Sequence, residues 1–266
     1  MISKPCPTSL GQRPGLGRWV ILALALLLGG WSNAFAQSEA AAKGTSNSTG
    51  SSSRKASIKP TAKSSETEAV GPPNKAVGFP SAPIVMEVFS DYMCPQCRNF
   101  YMNSLRAMMN DYVPAGKVYL IHRDFPLPIA EHKYNWDAAR WGTAAARIGR
   151  FEEVDRALYE NELAWGADGN IQKFVAAALS PADLKRVQKL VAPCLSQTPP
   201  ELRPAAPAGT SCSLDVFINQ DIALGKQVPV QATPTYVITN RGNRLPPGSG
   251  FVSWPLMKQF LDSLSQ

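Results

Sequence analysis

Apolar side chains are distributed along this chain in three regimes. They run almost unbroken from Trp19 to Gly30, nearly vanish between residues 37 and 78, and then recur with the periods of strands and helices. The run Ile84-Val85-Met86-Glu87-Val88-Phe89, bounded by Pro80 and Pro83, predicts a buried strand. Phe100, Leu105, Met108, Met109 and Tyr112 fall at three- and four-residue spacings and predict a helix over 95–112, stopped by Pro114-Ala115-Gly116. That stripe of Met and aromatic residues is core-forming. Lys117 to His122 reads as a second buried strand, so the order strand, helix, strand implies a βαβ unit with a parallel pair.

From about residue 130 to 192 the pattern becomes helical. Trp136, Ala139, Arg140 and Thr143 open an alanine-rich helix, and further helices are expected over 151–164, 170–178 and 181–191. Ser180-Pro181-Ala182-Asp183 is a helix start, with serine capping and proline at the first helical position. Strand signals return at Thr235-Tyr236-Val237-Ile238-Thr239, followed by a turn at Asn240-Arg241-Gly242-Asn243 and a last strand around 248–252. Trp254, Leu256, Met257, Phe260, Leu261 and Leu264 then mark a terminal amphipathic helix. The expected class is α/β: βαβ, a helical insertion, then ββα, within one domain over residues 79–266.

The first 36 residues resemble a secretory signal. Lys4, Arg13 and Arg18 precede an apolar stretch too short to span a bilayer comfortably, and Ala34-Phe35-Ala36 is a small-x-small cleavage pattern. The expected location is periplasmic or secreted, with an uncleaved signal anchor as the rival. Residues 37–78 read as a disordered Ser/Thr/Lys-rich linker, because they hold too little apolar surface to offset ordering entropy. Charge follows the same partition. Of the formal net charge of +7, three positive charges precede residue 37 and a net three lie in 37–75, leaving one for the remainder. The basic balance therefore gives no support for nucleic-acid binding.

Of the five cysteines, Cys6 lies in the signal segment, and four remain after its removal, an even number that suits an oxidising compartment. Cys94-Pro95-Gln96-Cys97 stands where the first strand turns into the first helix. At a helix start, Cys94 meets unpaired backbone N–H groups and the positive end of the helix dipole, both of which favour a thiolate. Pro95 suits the first helical position, and Arg98 adds a positive charge. Cys97, one turn in, is the buried resolving thiol. A purely structural disulfide at this spacing constrains little. A zinc site lacks a second close pair, because Cys194, Cys212, His122 and His132 are scattered, so no metal is expected.

Cys194 and Cys212 flank a loop containing Pro199, Pro200, Pro204 and Pro207. So long a loop in a compact domain calls for an anchor, and a Cys194–Cys212 structural disulfide is the expectation. Two free thiols and a second redox pair are the competing readings.

The segments Phe89-Ser90-Asp91-Tyr92-Met93-Cys94-Pro95-Gln96-Cys97, Arg123-Asp124-Phe125-Pro126-Leu127 and Ala232-Thr233-Pro234-Thr235 resemble, in the same order, the DsbA-type thioredoxin-fold thiol–disulfide oxidoreductases. The resemblance implies a thioredoxin fold and a cis-proline at Pro234 facing the dithiol, with the Thr233 backbone pairing with an extended substrate. It also implies disulfide formation in unfolded or reduced exported proteins, and reoxidation by a membrane quinone-linked partner. The protein would act as a monomer, with no cofactor beyond the Cys94–Cys97 disulfide. Two departures stand out. The buried acid usual six residues before the first cysteine is Val88 here, while Glu87 belongs to the opposite strand face. The dipeptide Pro95-Gln96 lacks the histidine of the most oxidising members. His122 and His132 read as structural or surface residues, since a helix-start thiolate needs no histidine partner. An isomerase or reductase of the same fold is the rival direction, and a non-catalytic peptide-binding or chaperone module the rival class.

Overall fold

Alternation along β2 (Ile84–Ser90) sets the plan of the molecule: Ile84, Met86, Val88 and Ser90 are buried on one face, while Val85 and Glu87 on the other are only partly covered. The computed structural model describes residues 72–199, 202 and 212–265, which lie in one compact unit, Ser64–Gln266. β3 (Val118–Asp124) pairs with β2 in parallel and places His122 opposite Val88 and Asp124 opposite Ser90. β4 (Thr235–Asn240) lies antiparallel on the other side of β2, with Tyr236 opposite Val88. β5 (Asn243–Arg244) and β6 (Gly248–Ser249) both pair with β4. Arg241 and Gly242 both have positive φ (47° and 84°), the conformation of a two-residue hairpin turn. The last strand is shorter than the expected 248–252, ending where Gly250 takes φ +82°.

The first helical stretch follows Cys94 as expected but is not continuous. α1 (Pro95–Phe100) and α2 (Arg106–Asp111) are separated by a π-helical turn, Tyr101–Leu105. The wider turn buries Tyr101, Ser104 and Leu105, and the Ser104 hydroxyl donates to the Val252 carbonyl ahead of the terminal helix. The insertion consists of α3 (Asn135–Ala146), α4 (Phe151–Glu160), α5 (Glu162–Asp168), α6 (Ile171–Ala178) and α7 (Pro181–Val191). Ser180 caps α7 by accepting from the Asp183 N–H, with Pro181 at the first position. The helix expected over 151–164 is two helices, meeting at Asn161.

Two elements depart further from the sequence pattern. The linker expectation ran to residue 78, but β1 (Ala76–Val77) pairs antiparallel with β3 at the sheet edge, and Lys75 is buried. The folded unit therefore begins earlier than residue 79, because Lys75 is held by Asp124 and Asp221. α8 (Asp215–Gln227) occupies a stretch for which the pattern gave no element. It buries Ile218, Asp221 and Gly225, at helical spacing, and Gly225 abuts Phe125 so closely that a Cβ would meet its ring at 2.5 Å. The signal segment, Cys6, residues 37–71 and Pro200, Pro204 and Pro207 lie outside the described residues.

The main core fills the Val88 face of the sheet, joining Phe100 and Tyr101 to Trp141, Leu158 and Trp165 of the insertion and to Met257 and Leu261 of α9 (Trp254–Leu264). A smaller cluster on the opposite face gathers Phe89, Val237, Val228 and Val230, with Phe125 against it. The dithiol therefore sits at one end of the central strand, above the larger core.

Candidate active site

Cys94 is the N-cap of α1, in extended conformation (φ −78°, ψ 119°), with Pro95 at the first helical position. The turn is pinned by Asp91, whose carbonyl accepts from Cys94 N–H at 3.0 Å and whose carboxylate accepts from Met93 N–H at 2.8 Å. Asp91 also takes the Leu127 N–H and the Asn135 amide at 2.8 and 2.9 Å, so it ties the cysteine loop to the segment after β3. Both sulfurs are free thiols, Cys94 at 7% exposure and Cys97 at 1%.

Their environments push them apart. A hydrogen bond from Cys97 lowers the Cys94 pKa to about 6, helped by Thr233 and by the backbone N–H groups of Cys97 and Gln96 and opposed by burial. Burial raises the Cys97 thiol well above its usual range, and the adjacent Cys94 sulfur adds to the rise, while Ser90 and Thr233 work against it. Near neutrality one sulfur is a thiolate and its neighbour keeps its proton. That is the division of labour of a nucleophile and a resolving thiol.

Thr233 closes the site from the start of β4. The Thr233–Pro234 peptide is cis, and the Cys94 thiol donates to the Thr233 carbonyl at 3.3 Å. The Thr233 hydroxyl is buried without a regular partner. Pro95, Gln96, Thr233 and Pro234 are thus brought together around the two sulfurs. Cys194 and Cys212 are elsewhere, joined by a disulfide with Cα atoms 4.6 Å apart and 18 residues of sequence separation.

Several polar residues surround the dithiol, of which the sequence pattern singles out His122, His132 and Arg98 but not Ser90, Tyr159 or Asp155. His132 is held by Asp91, Nδ1 to Oδ2 at 2.8 Å, and this bond raises the histidine pKa, against burial, with the Cys94 thiolate adding to the rise. Arg98 donates to the Tyr159 carbonyl at 3.1 Å and lies 4.0 Å from Glu162. Below Cys97, Ser90 Oγ and Tyr159 OH are 2.6 Å apart. His122 is buried, with Nε2 3.1 Å from Asp124 and Nδ1 3.5 Å from Asp155, and its ring stacks on Tyr92. Strand alternation was the available signal for His122 and Asp124, since both share the inward face with Leu120. Glu87 does point to the other face, where Arg123 binds it at 2.6 and 2.9 Å. Among the described residues no group of three His, Cys, Asp or Glu side chains is arranged to hold a metal.

Residues 72–244 match the family model described as thioredoxin. The fold is similar to that of alpha-DsbA1 from Wolbachia pipientis, with a TM-score of 0.53 and 18% identity over 72% of this chain and 90% of that one. BdbD from Bacillus subtilis, in its oxidised form, is similar with a TM-score of 0.52 and 17% identity over 74% and 98% of the two chains. Among curated proteins, a Na(+)/H(+) antiporter NhaA 1 from Mycobacterium sp. (strain KMS) is 34% identical over 92 residues, 33% of this chain. The counterpart from Mycolicibacterium gilvum is 31% identical over 105 residues, 38% of this chain. The matched region spans only 14% and 16% of the length of those two relatives.

Proposed function

The chain belongs to the thioredoxin family, in the DsbA-type form of the fold, and from that premise we propose that it is an exported protein thiol–disulfide oxidoreductase that donates the Cys94–Cys97 disulfide to folding proteins. The observation that carries the reading is the split between the two thiols: Cys94 at a helix start with a pKa of about 6, beside a buried Cys97 whose pKa is raised. A substrate thiolate attacks Cys94 Sγ, the Cys94–Cys97 bond breaks, and Cys97 leaves with the electron pair and takes a proton. A second substrate thiolate then attacks the substrate sulfur of the mixed disulfide, and Cys94 leaves as a thiolate. The substrate has lost two electrons and the protein has become the dithiol. A low pKa makes Cys94 a good leaving group in that last step. Thr233 offers its carbonyl beside the sulfur, where an extended substrate backbone would pair.

No cofactor beyond the dithiol is needed, and the proposed reoxidant is a membrane quinone-linked partner. The proposed setting is periplasmic or secreted. The described residues contain no helix long and apolar enough to cross a membrane.

Direction is set by potential. A thiol of pKa about 6 lies between thioredoxin's nucleophile at about 7 and DsbA's at about 3.5. At pH 7 it favours the reduced form by about 1.4 kcal/mol, or about 30 mV. The potential should therefore fall between about −270 and about −120 mV. A value at or below about −270 mV contradicts the donor reading and favours a reductase. An oxidase restores activity to a reduced, unfolded disulfide protein stoichiometrically, whereas an isomerase rescues a scrambled one while itself mostly reduced. A binding module would suppress aggregation equally well with both cysteines changed to serine.

A further inference from the structure

Position 88, on the inward face of β2 six residues before Cys94, is a buried valine, and a cavity of about 20 Å³ adjoins it. That volume has room for one water. Val88, His122, Asp155 and Tyr159 are among the residues that line it. We propose that the Cys97 thiol exchanges its proton with the Asp155 carboxyl of α4, through the hydroxyls of Ser90 and Tyr159 and a water held in this cavity.

From Cys97 to Tyr159 the relay is built from contacts already in place, and the cavity water joins Tyr159 to Asp155. Ser90 acts on the Cys97 sulfur, lowering its otherwise raised pKa, and its Oγ lies 2.6 Å from Tyr159 OH. Tyr159 and Asp155 both border the cavity, one helical turn apart on α4. The neighbouring carboxylate is unsuited to the role. Asp124 is held by Lys75 at 2.6 Å, by His122 at 3.1 Å and by the Thr143 hydroxyl at 3.1 Å, and despite burial Lys75 and His122 hold it well below the usual carboxylate range. It stays ionised. Asp155 has weaker support: the Tyr92 hydroxyl at 2.8 Å and His122 at 3.5 Å. Burial therefore wins and pushes its pKa up to about 6, with Asp124 and Glu152 adding to the rise. Tyr101 of the π-helical turn also faces Asp155, and Lys75 borders the same cavity. A carboxyl that changes protonation close to neutrality is fitted to both giving and taking a proton.

The proton balance closes in each direction. When the Cys94–Cys97 bond is broken by a substrate thiolate, Ser90 donates to the departing Cys97 sulfur and Tyr159 donates to Ser90. The water then donates to Tyr159, and the Asp155 carboxyl reprotonates the water. When Cys97 attacks a mixed disulfide at Cys94, every transfer runs backwards and Asp155 carboxylate receives the proton.

This inference rests on the exchange chemistry proposed above, and stopped-flow oxidation of the reduced protein by one equivalent of a chromogenic aromatic disulfide separates the two. The first phase releases one coloured thiolate as Cys94 attacks. The second phase releases another as Cys97 closes the protein disulfide. In the wild type, the second phase should rise with pH through about 6 and level off. Asp155→Asn should leave the first phase within about twofold, slow the second at least about tenfold at pH 7, and remove the rise near pH 6. Asp155→Glu should restore that rise. Tyr159→Phe, which keeps the ring and the carboxyl, should slow the second phase alone. Second phases of wild-type rate and pH profile in Asp155→Asn or Tyr159→Phe would overturn the relay while leaving the exchange reading intact. Absence of both phases in the wild type would overturn the exchange reading itself.

Discussion

The two cysteine pairs of this protein are opposites in almost every respect. Cys94 and Cys97 are three residues apart at a helix start, so a bond between them closes almost no chain. Cys194 and Cys212 are 18 residues apart, one at the end of a short 3-10 turn after α7 and the other beyond the proline-containing loop. The first pair is held as thiols with pKa values driven in opposite directions, whereas the second is a closed bond. The difference teaches where the free energy of a disulfide goes. Closing a long loop restricts the unfolded chain and stabilises the fold. Closing a four-residue motif contributes little of that kind, so the bond's energy is set by how well the reduced form is stabilised, which here falls to the helix start, Thr233 and the neighbouring thiol.

Substitution should separate the pairs cleanly. Cys94→Ser is expected to abolish disulfide transfer to a reduced substrate protein, with the melting temperature of the reduced form little changed at pH 5, where Cys94 is protonated. Trapping of a mixed disulfide by Cys94→Ser would break the comparison, because Cys97 would then be the nucleophile. Replacing Cys194 and Cys212 together by alanine should cost about 3 kcal/mol of stability, by the loop-closure model. Denaturant titration measures it, and the first-phase rate at Cys94 should be unchanged.

A smaller effect sharpens the account of the first pair. A cysteine whose folded pKa lies below its unfolded value contributes stability above the unfolded pKa, and that contribution is lost as pH falls through the folded one. For Cys94 the window runs from 9 down to about 6. The reduced protein should therefore lose about 1.4 kcal/mol relative to Cys94→Ser between pH 7 and pH 5. Equal pH dependence in the two proteins would contradict the assignment. The smallest expected effect is that of His132→Gln: the Cys94 thiolate raises the His132 pKa, so by reciprocity losing the imidazole should raise the Cys94 midpoint slightly. A lowered midpoint would mean that His132 acts only through the Asp91 turn.

How much of this was legible follows from the range of each interaction. Cys94 at the helix start, the βαβ unit and the Thr233-Pro234 segment were readable because each is written in a few consecutive residues. The exclusion of Glu87 from the Cys97 side was readable too, from strand alternation alone. β1 was not, because Lys75 closes a Ser- and Lys-rich stretch and its side-chain partners, Asp124 and Asp221, are 49 and 146 residues away. α8 was missed because Asp215-Val216-Phe217-Ile218 mixes β-branched and polar positions, and its helical face appears only once Asp221 and Gly225 meet β3 and Phe125. Asp155 was hidden for the same reason. An acidic residue on an amphipathic helix reads as solvated surface until Tyr92 and His122 are seen to cover it.

The central claim is that the fold makes one sulfur of the dithiol a thiolate near neutrality and keeps the other protonated. Alkylation of the reduced protein by a small haloacetamide, followed across pH with the modified residue identified by mass spectrometry, tests it directly. The account predicts modification of Cys94 with a midpoint near pH 6 and an unreactive Cys97 throughout the neutral range. A midpoint near the ordinary thiol value of about 8.5, or equal labelling of Cys97, would contradict it.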